Sequence, residues 1–106
     1  NRKKDTVIDF SEEALKIFCK IKAFGTNPGA RCYINGELIK IFEAEVINNY
    51  KKYSESGVIL DNKLLISCGK GSIRLLKVQR QGKKILPAKE VLNGWKIKPG
   101  TKINEK

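Results

Sequence analysis

The chain contains no histidine. The commonest general base and metal ligand is therefore missing, which argues against a self-contained enzyme and against a resident metal. Cysteine is scarce and odd in number: Cys19, Cys32 and Cys68 show no CxxC spacing. That argues against a disulfide framework and a zinc site, and predicts reduced thiols buried in a cytoplasmic protein. No apolar run approaches the roughly 20 residues of a membrane span, and no signal peptide is recognisable, so no membrane partner is expected. Acid is nearly missing from one half, because residues 62–106 carry only Glu90 and Glu105.

Against those two acids stand 12 lysines and arginines, a net of +10, whereas residues 1–61 hold 10 basic and 9 acidic groups. This asymmetry implies a polyanionic partner. Nucleic acid is favoured over membrane because no strongly amphipathic basic helix carries aromatics on its apolar face. With 106 residues and 41% hydrophobic content, the chain is one domain able to bury a core. It starts at Asn1 without methionine and is expected to be a piece of something longer.

Residues 1–6, with Arg2, Lys3 and Lys4, are polar and aperiodic, and read as a linker before a domain at 7–106. Ser11 is placed to cap a helix, with Glu12 and Glu13 in its first turn and Phe10 stapled onto Leu15. Leu15, Phe18 and Ile21, joined by Ala14 and Ile17, would form its apolar face, and Gly25 with Asn27-Pro28-Gly29 ends it. The apolar period then becomes two. Ala30–Ile34 and Glu37–Asn48 flank Asn35-Gly36, a strong hairpin signal. Val58–Leu60 and Leu64–Cys68 flank Asp61-Asn62, and Ser72–Arg80 and Lys83–Ile85 flank Gln81-Gly82. Pro87–Gly94 reads as a short helix, and Pro99-Gly100 as a turn before Thr101–Ile103.

Two strands change phase. Ile39 and Ile41 share one face, but Phe42, Ala44 and Val46 take the other parity; Ile73 and Leu75 give way to Leu76 and Val78 in the same manner. β-bulges produce such slips and bend strands around corners. The expected fold is therefore mainly β: a small OB-like antiparallel barrel, one N-terminal helix before it and a short helix near the C-terminus.

Gly69-Lys70-Gly71 lacks the spacing of a nucleotide loop and reads as a tight turn. Glu43 and Glu45 share a strand face without a base or metal ligand beside them, and read as solvated. Tyr33, Tyr50, Tyr53 and Trp95 are candidates for stacking on bases, with Trp95 better suited to the core or its rim. The basic residues are the stronger signal. Lys63, Lys70, Arg74, Lys77, Arg80, Lys83 and Lys84 fall on consecutive hairpins, which a small barrel brings together into a groove for phosphates.

In chain order, nine short words form a pattern: Ile8-Asp9-Phe10, Ile21-Lys22-Ala23-Phe24, Pro28-Gly29-Ala30, Gly36 with Ile39-Lys40-Ile41, Gly57-Val58-Ile59, Cys68-Gly69-Lys70-Gly71, Leu75-Leu76-Lys77-Val78-Gln79, Gly82-Lys83-Lys84 and Val91-Leu92-Asn93-Gly94. The chain resembles the C-terminal domain family of methionyl-tRNA formyltransferases over nearly its whole length. The resemblance implies an OB-like barrel that helps to hold initiator tRNA while an N-terminal domain of the same chain transfers a formyl group from 10-formyltetrahydrofolate. It implies no catalytic residue and no cofactor here, since that family's Asn-His-Asp constellation needs a histidine. The expected contacts to RNA are Lys3, Lys4, Lys22, Lys40, Arg74, Lys77, Arg80, Lys83 and Lys84, in a monomeric, cytoplasmic protein. Lys22 stands where the family usually has arginine, and gives up a bidentate fork. Related domains also follow the catalytic domains of sugar-nucleotide and folate formyltransferases, where the barrel is structural or shapes the substrate entrance. A freestanding OB-type RNA-binding protein is the third alternative.

Overall fold

The computed structural model describes residues 6–105. Helix α1, Ala14–Phe24, leads into a single wide turn at Gly25–Gly29, with a cis peptide between Asn27 and Pro28. Strands follow: β1 Ala30–Ile34, β2 Glu37–Asn48, β3 Leu65–Ser67, β4 Ser72–Arg80 and β5 Ile85–Pro87, then the one-turn helix α2, Ala88–Val91. The sheet is antiparallel in the order β1-β2-β4-β3, and β5 joins β4 on the edge that β3 also uses. It curls into a half-barrel. Single bridges cross the open side, from Ile34 to Ile103, Val58 to Lys102 and Ile59 to Ile66.

The curl has a local cause. Ile41 pairs with Val78, Glu43 with Lys77 and Ala44 with Leu75, so Phe42 and Leu76 are the extra residues of two nearly facing irregularities. These are the two phase slips read from the sequence. Ile39, Ile41, Ile73, Leu75 and Val78 enter the core, where all are fully buried. Ile17 and Ile21 of α1 cap that core from one side, and Ile59, Ile97 and Ile103 fill the far side.

The N-terminus of α1 is built differently from the capped start expected. The carboxylate of Asp9 accepts from both the amide and the hydroxyl of Ser11, at 3.0 and 2.7 Å, so Ser11 caps nothing in the helix. Glu13 holds the N-cap position without a side-chain cap. Instead the amide of Ala14 donates to the Lys70 carbonyl, and the amide of Gly69 donates to the carbonyls of Phe10 and Glu12. A Cβ on Gly69 would overlap the Ser11 carbonyl. Gly69-Lys70-Gly71 is thus the tight turn expected, and it also docks α1. The backbone is the glue at this joint.

Other expectations shift. Leu15 is half exposed while Phe10 is buried, so no staple joins them and Leu15 is not on the core face. Cys32 and Cys68 are buried but Cys19 lies exposed on α1, because the helix turns it away from Ile17 and Ile21. Val58–Leu60 makes single bridges rather than a strand, and the last strand begins at Ile85 because Lys83 and Lys84 form the turn. The C-terminal segment is held by Asn104, whose side chain accepts from the Tyr33 amide at 2.9 Å and donates to the Ile8 carbonyl at 2.9 Å. Among the described residues no helix is long and apolar enough to cross a membrane.

Candidate nucleic-acid interface

Alternation along β1, β2 and β4 decides which side chains leave the barrel. Cys32, Ile39 and Val78 point in, so their neighbours Arg31, Lys40 and Gln79 point out. Register then puts Arg31 beside Lys40 and Lys40 beside Gln79 in one row across three strands. The row continues into the β4–β5 turn, since the Gln79 side-chain Nε2 donates to the Lys83 carbonyl at 2.8 Å and the Lys83 backbone amide donates to the Arg80 carbonyl at 3.0 Å. Lys83 and Lys84 are therefore held on an ordered turn, with side chains in solvent. Among the described residues, Arg31, Lys40, Lys83 and Lys84 form no ion pair.

The expected contacts divide into two kinds. Arg80 presents a fork to Glu37, with Nε to Oε2 at 3.0 Å and Nη2 to Oε1 at 2.9 Å, and its guanidinium lies 4.5 Å from the Trp95 ring centroid. Arg74 holds Asp61 at 3.0 Å through Nη1, which also donates to the Lys63 carbonyl. Lys77 reaches Glu43, directly opposite in register, at 3.4 Å. These three already carry a carboxylate partner. Lys22 is exposed in the last turn of α1, 5.5 Å over the Phe18 ring, and Lys40 lays its stem against Gly29. Lys3 and Lys4 lie outside the described residues. The barrel does not gather all the hairpin lysines: Arg80, Lys83 and Lys84 share one hollow, Lys63 and Arg74 another, and Lys70 sits at the α1 joint.

The ion pairs leave clear electrostatic marks. The hydrogen bond from Arg80 holds the Glu37 carboxyl below the ordinary range, and the Arg80 guanidinium is shifted up in return. For Asp61, burial works to raise the value, but the amides of Lys63 and Leu65 and the Arg74 guanidinium outweigh it. Burial pushes the thiols of Cys32 and Cys68 up to about 12. Neither is a nucleophile at neutral pH.

Arg31 escapes a reading of the sequence alone. Its signal is present, because the Asn35-Gly36 hairpin fixes the register that sets it opposite Lys40, yet only a drawn register reveals it. Of the aromatic candidates, Trp95 is buried under Arg80, Tyr53 receives a hydrogen bond from Asn48, and Tyr50 is 74% exposed.

The formyl transferase C-terminal domain family matches residues 1–96. This chain belongs to that family. It is 36% identical to the methionyl-tRNA formyltransferase of Syntrophomonas wolfei over 98% of its own length and 34% of that protein. The corresponding protein of Rickettsia massiliae is 40% identical over 90% of the chain and 31% of its own length, and that of Ralstonia pickettii 35% over 95% and 32%. The chain thus spans about a third of the curated relatives it matches. A formyl transferase C-terminal domain is what the half-barrel with its docked helix is, and the basic row lies on its outer sheet face.

Proposed function

We propose that this domain binds the tRNA of a cytoplasmic, monomeric methionyl-tRNA formyltransferase, holding the initiator Met-tRNA by its backbone. An N-terminal domain of the same chain would then transfer the formyl group from 10-formyltetrahydrofolate. The observation that carries this reading is the row Arg31, Lys40, Lys83 and Lys84, which form no ion pair among the described residues, although Lys83 lies near enough to Glu37 to act on its carboxylate, and which stand on an ordered sheet and turn. Unpaired cations on a rigid frame suit a polyanion, because no internal ion pair has to be broken on binding. Arg74, Lys77 and Arg80 are already paired and would chiefly shape the surface. Lys22, and Lys3 and Lys4 before the barrel, would extend the contact. The names of the relatives supply the tRNA as the specific polyanion.

Filter binding of the domain to tRNA and to a sugar nucleotide over a salt series tests the reading. Tight tRNA binding with a steep salt slope is expected, equivalent to on the order of 4–6 phosphates at about 0.7–0.9 each. Binding to the sugar nucleotide with no affinity for tRNA would instead indicate the sugar-nucleotide branch.

A further inference from the structure

The β3–β4–β5 arrangement leaves a gap that the phosphate contacts do not use. Strand β3 pairs with β4 up to Arg74, the Leu75 amide still donates to the Leu64 carbonyl at 3.1 Å, and β5 joins only opposite Lys77, so among the described residues no strand pairs with Leu76 on that edge. The gap opens into a groove of about 440 Å³ between the loop at Asn62 and Lys63 and the one-turn helix α2. That volume lies in the span of roughly 300–1,000 Å³ typical of small-ligand pockets.

Its floor and wall are aliphatic, from Leu76, Pro87, Ala88 and Leu92, and its rim carries Lys63, Lys89, Arg74 and Asn62. Among the described residues no acidic side chain lines it. The rim is fixed in place. Arg74 Nη1 holds the Lys63 carbonyl and the Asp61 carboxylate at 3.0 Å each, while Asp61 accepts the amides of Lys63 and Leu65 at 2.8 and 3.1 Å. On the other side Ala88 and Val91 are buried, which sets the orientation of Lys89 and Leu92. Among the described residues the ammonium groups of Lys63 and Lys89 form no ion pair.

We infer that this groove takes one unpaired nucleotide of the bound RNA, its base on the aliphatic floor and its phosphate on Lys63 and Lys89. The inference rests on the RNA-binding reading and names a substrate feature that reading leaves open: a single-stranded or flipped-out residue next to the helical part. Continuity supports it. Helix α2 forms a wall of this groove through Ala88 and Lys89, and of the hollow of Arg80, Lys83 and Lys84 through Glu90 and Val91. One strand passing over α2, about 10 Å across, would reach both. A flat apolar base with an attached anion matches an aliphatic floor under a cationic rim, and the Asn62 amide offers both a donor and an acceptor to a base edge. A protein segment would need an acidic rim of its own to match this one.

The test is backbone-amide NMR of the 106-residue chain titrated with three probes: a single-stranded RNA trinucleotide, a blunt RNA duplex, and a free nucleoside monophosphate. The trinucleotide should shift Asn62, Lys63, Leu76, Lys89 and Leu92, and the duplex should shift Lys40, Lys83 and Lys84 while leaving the groove unmoved. The exposed variants Lys63→Glu and Lys89→Glu should each weaken trinucleotide binding about tenfold. Duplex affinity should change much less, and the fold should be intact by its spectrum. A trinucleotide that leaves the groove unshifted while duplex and tRNA bind normally overturns the inference and leaves the RNA-binding reading standing. No response to any RNA overturns both. A monophosphate binding as tightly as the trinucleotide marks a free-nucleotide pocket, and groove shifts that grow with protein concentration alone mark self-association; either result also overturns it.

Discussion

Arg80 and Glu37 join the ends of two strands through two hydrogen bonds, 3.0 and 2.9 Å long, with the Arg80 guanidinium over the ring of Trp95. Both side chains are 24% exposed, so water reaches the pair but does not surround it. Replacing Arg80 with lysine removes the fork and the flat face that lies over the indole. Arg80→Lys should lower stability by about 1–2 kcal/mol, read as a fall in the urea midpoint with unchanged slope.

The same pair gives stability a pH dependence of known sign. Glu37 titrates below its ordinary value because Arg80 hydrogen-bonds the charged form. Its folded state therefore binds fewer protons than the unfolded chain, and stability from it rises with pH. The contribution is complete above the unfolded value near pH ~4.3 and is lost as pH falls through the lower folded value. Asp9, lowered chiefly by the Ser11 hydroxyl, and Asp61 act in the same direction. Glu37→Gln should flatten the acid limb of a stability-versus-pH curve measured by urea titration. An unchanged limb would show that the pair does not couple to folding.

The α1 joint depends on a glycine for space. Gly69 does not need a left-handed φ, but a Cβ there runs into the backbone of Ser11. Gly69→Ala should therefore cost about 2–4 kcal/mol, because backbone cannot step aside as a flexible side chain would. Gly25 is the opposite case, with φ of +59° and nothing near its would-be Cβ. Gly25→Ala should cost about 1–3 kcal/mol through backbone strain alone, because φ of +59° with ψ of −139° is a region that essentially only glycine adopts. Thermal melts should show the larger loss for Gly69→Ala, where the clash is with backbone.

At the β4–β5 turn, Lys83→Ala with Lys84→Ala should weaken tRNA binding and reduce the salt slope by about 0.7–0.9 for each phosphate no longer neutralised. The melting temperature should hardly move, since both side chains stand in solvent. Arg31→Ala should act in the same direction, and tRNA affinity unchanged at low salt would take that residue out of the interface.

Thiol reagents should distinguish the three cysteines. Cys19 is exposed, while Cys32 and Cys68 are buried with values pushed up to about 12. One equivalent should react quickly with a maleimide or disulfide reagent, and the other two only on unfolding. Two fast equivalents would mean that a strand carrying a buried thiol opens readily.

Much of the barrel is legible because its signals are local. The Asn35-Gly36 hairpin can be read with its strand bounds, and Phe42 and Leu76 are visible as phase slips since a bulge shifts the parity of every later residue. The start of α1 misleads because its donors are satisfied from a turn more than fifty residues away in sequence, and no local cap signals that. The site is legible as a charge imbalance but not as a surface.

The sequence by itself determined the alternation, the turns, the excess of base in the second half and the lack of any histidine for catalysis. Tertiary structure alone decided which cations are held in ion pairs. Arg74, Lys77 and Arg80 look like Lys83 and Lys84 in a string of letters, yet curling the sheet brings Asp61, Glu43 and Glu37 into ion pairs with the first three and, among the described residues, no such partner to the last two. The reason is physical. A charge is described by its distance to every other charge, and in a non-local β fold those distances are set by strand register and bulges.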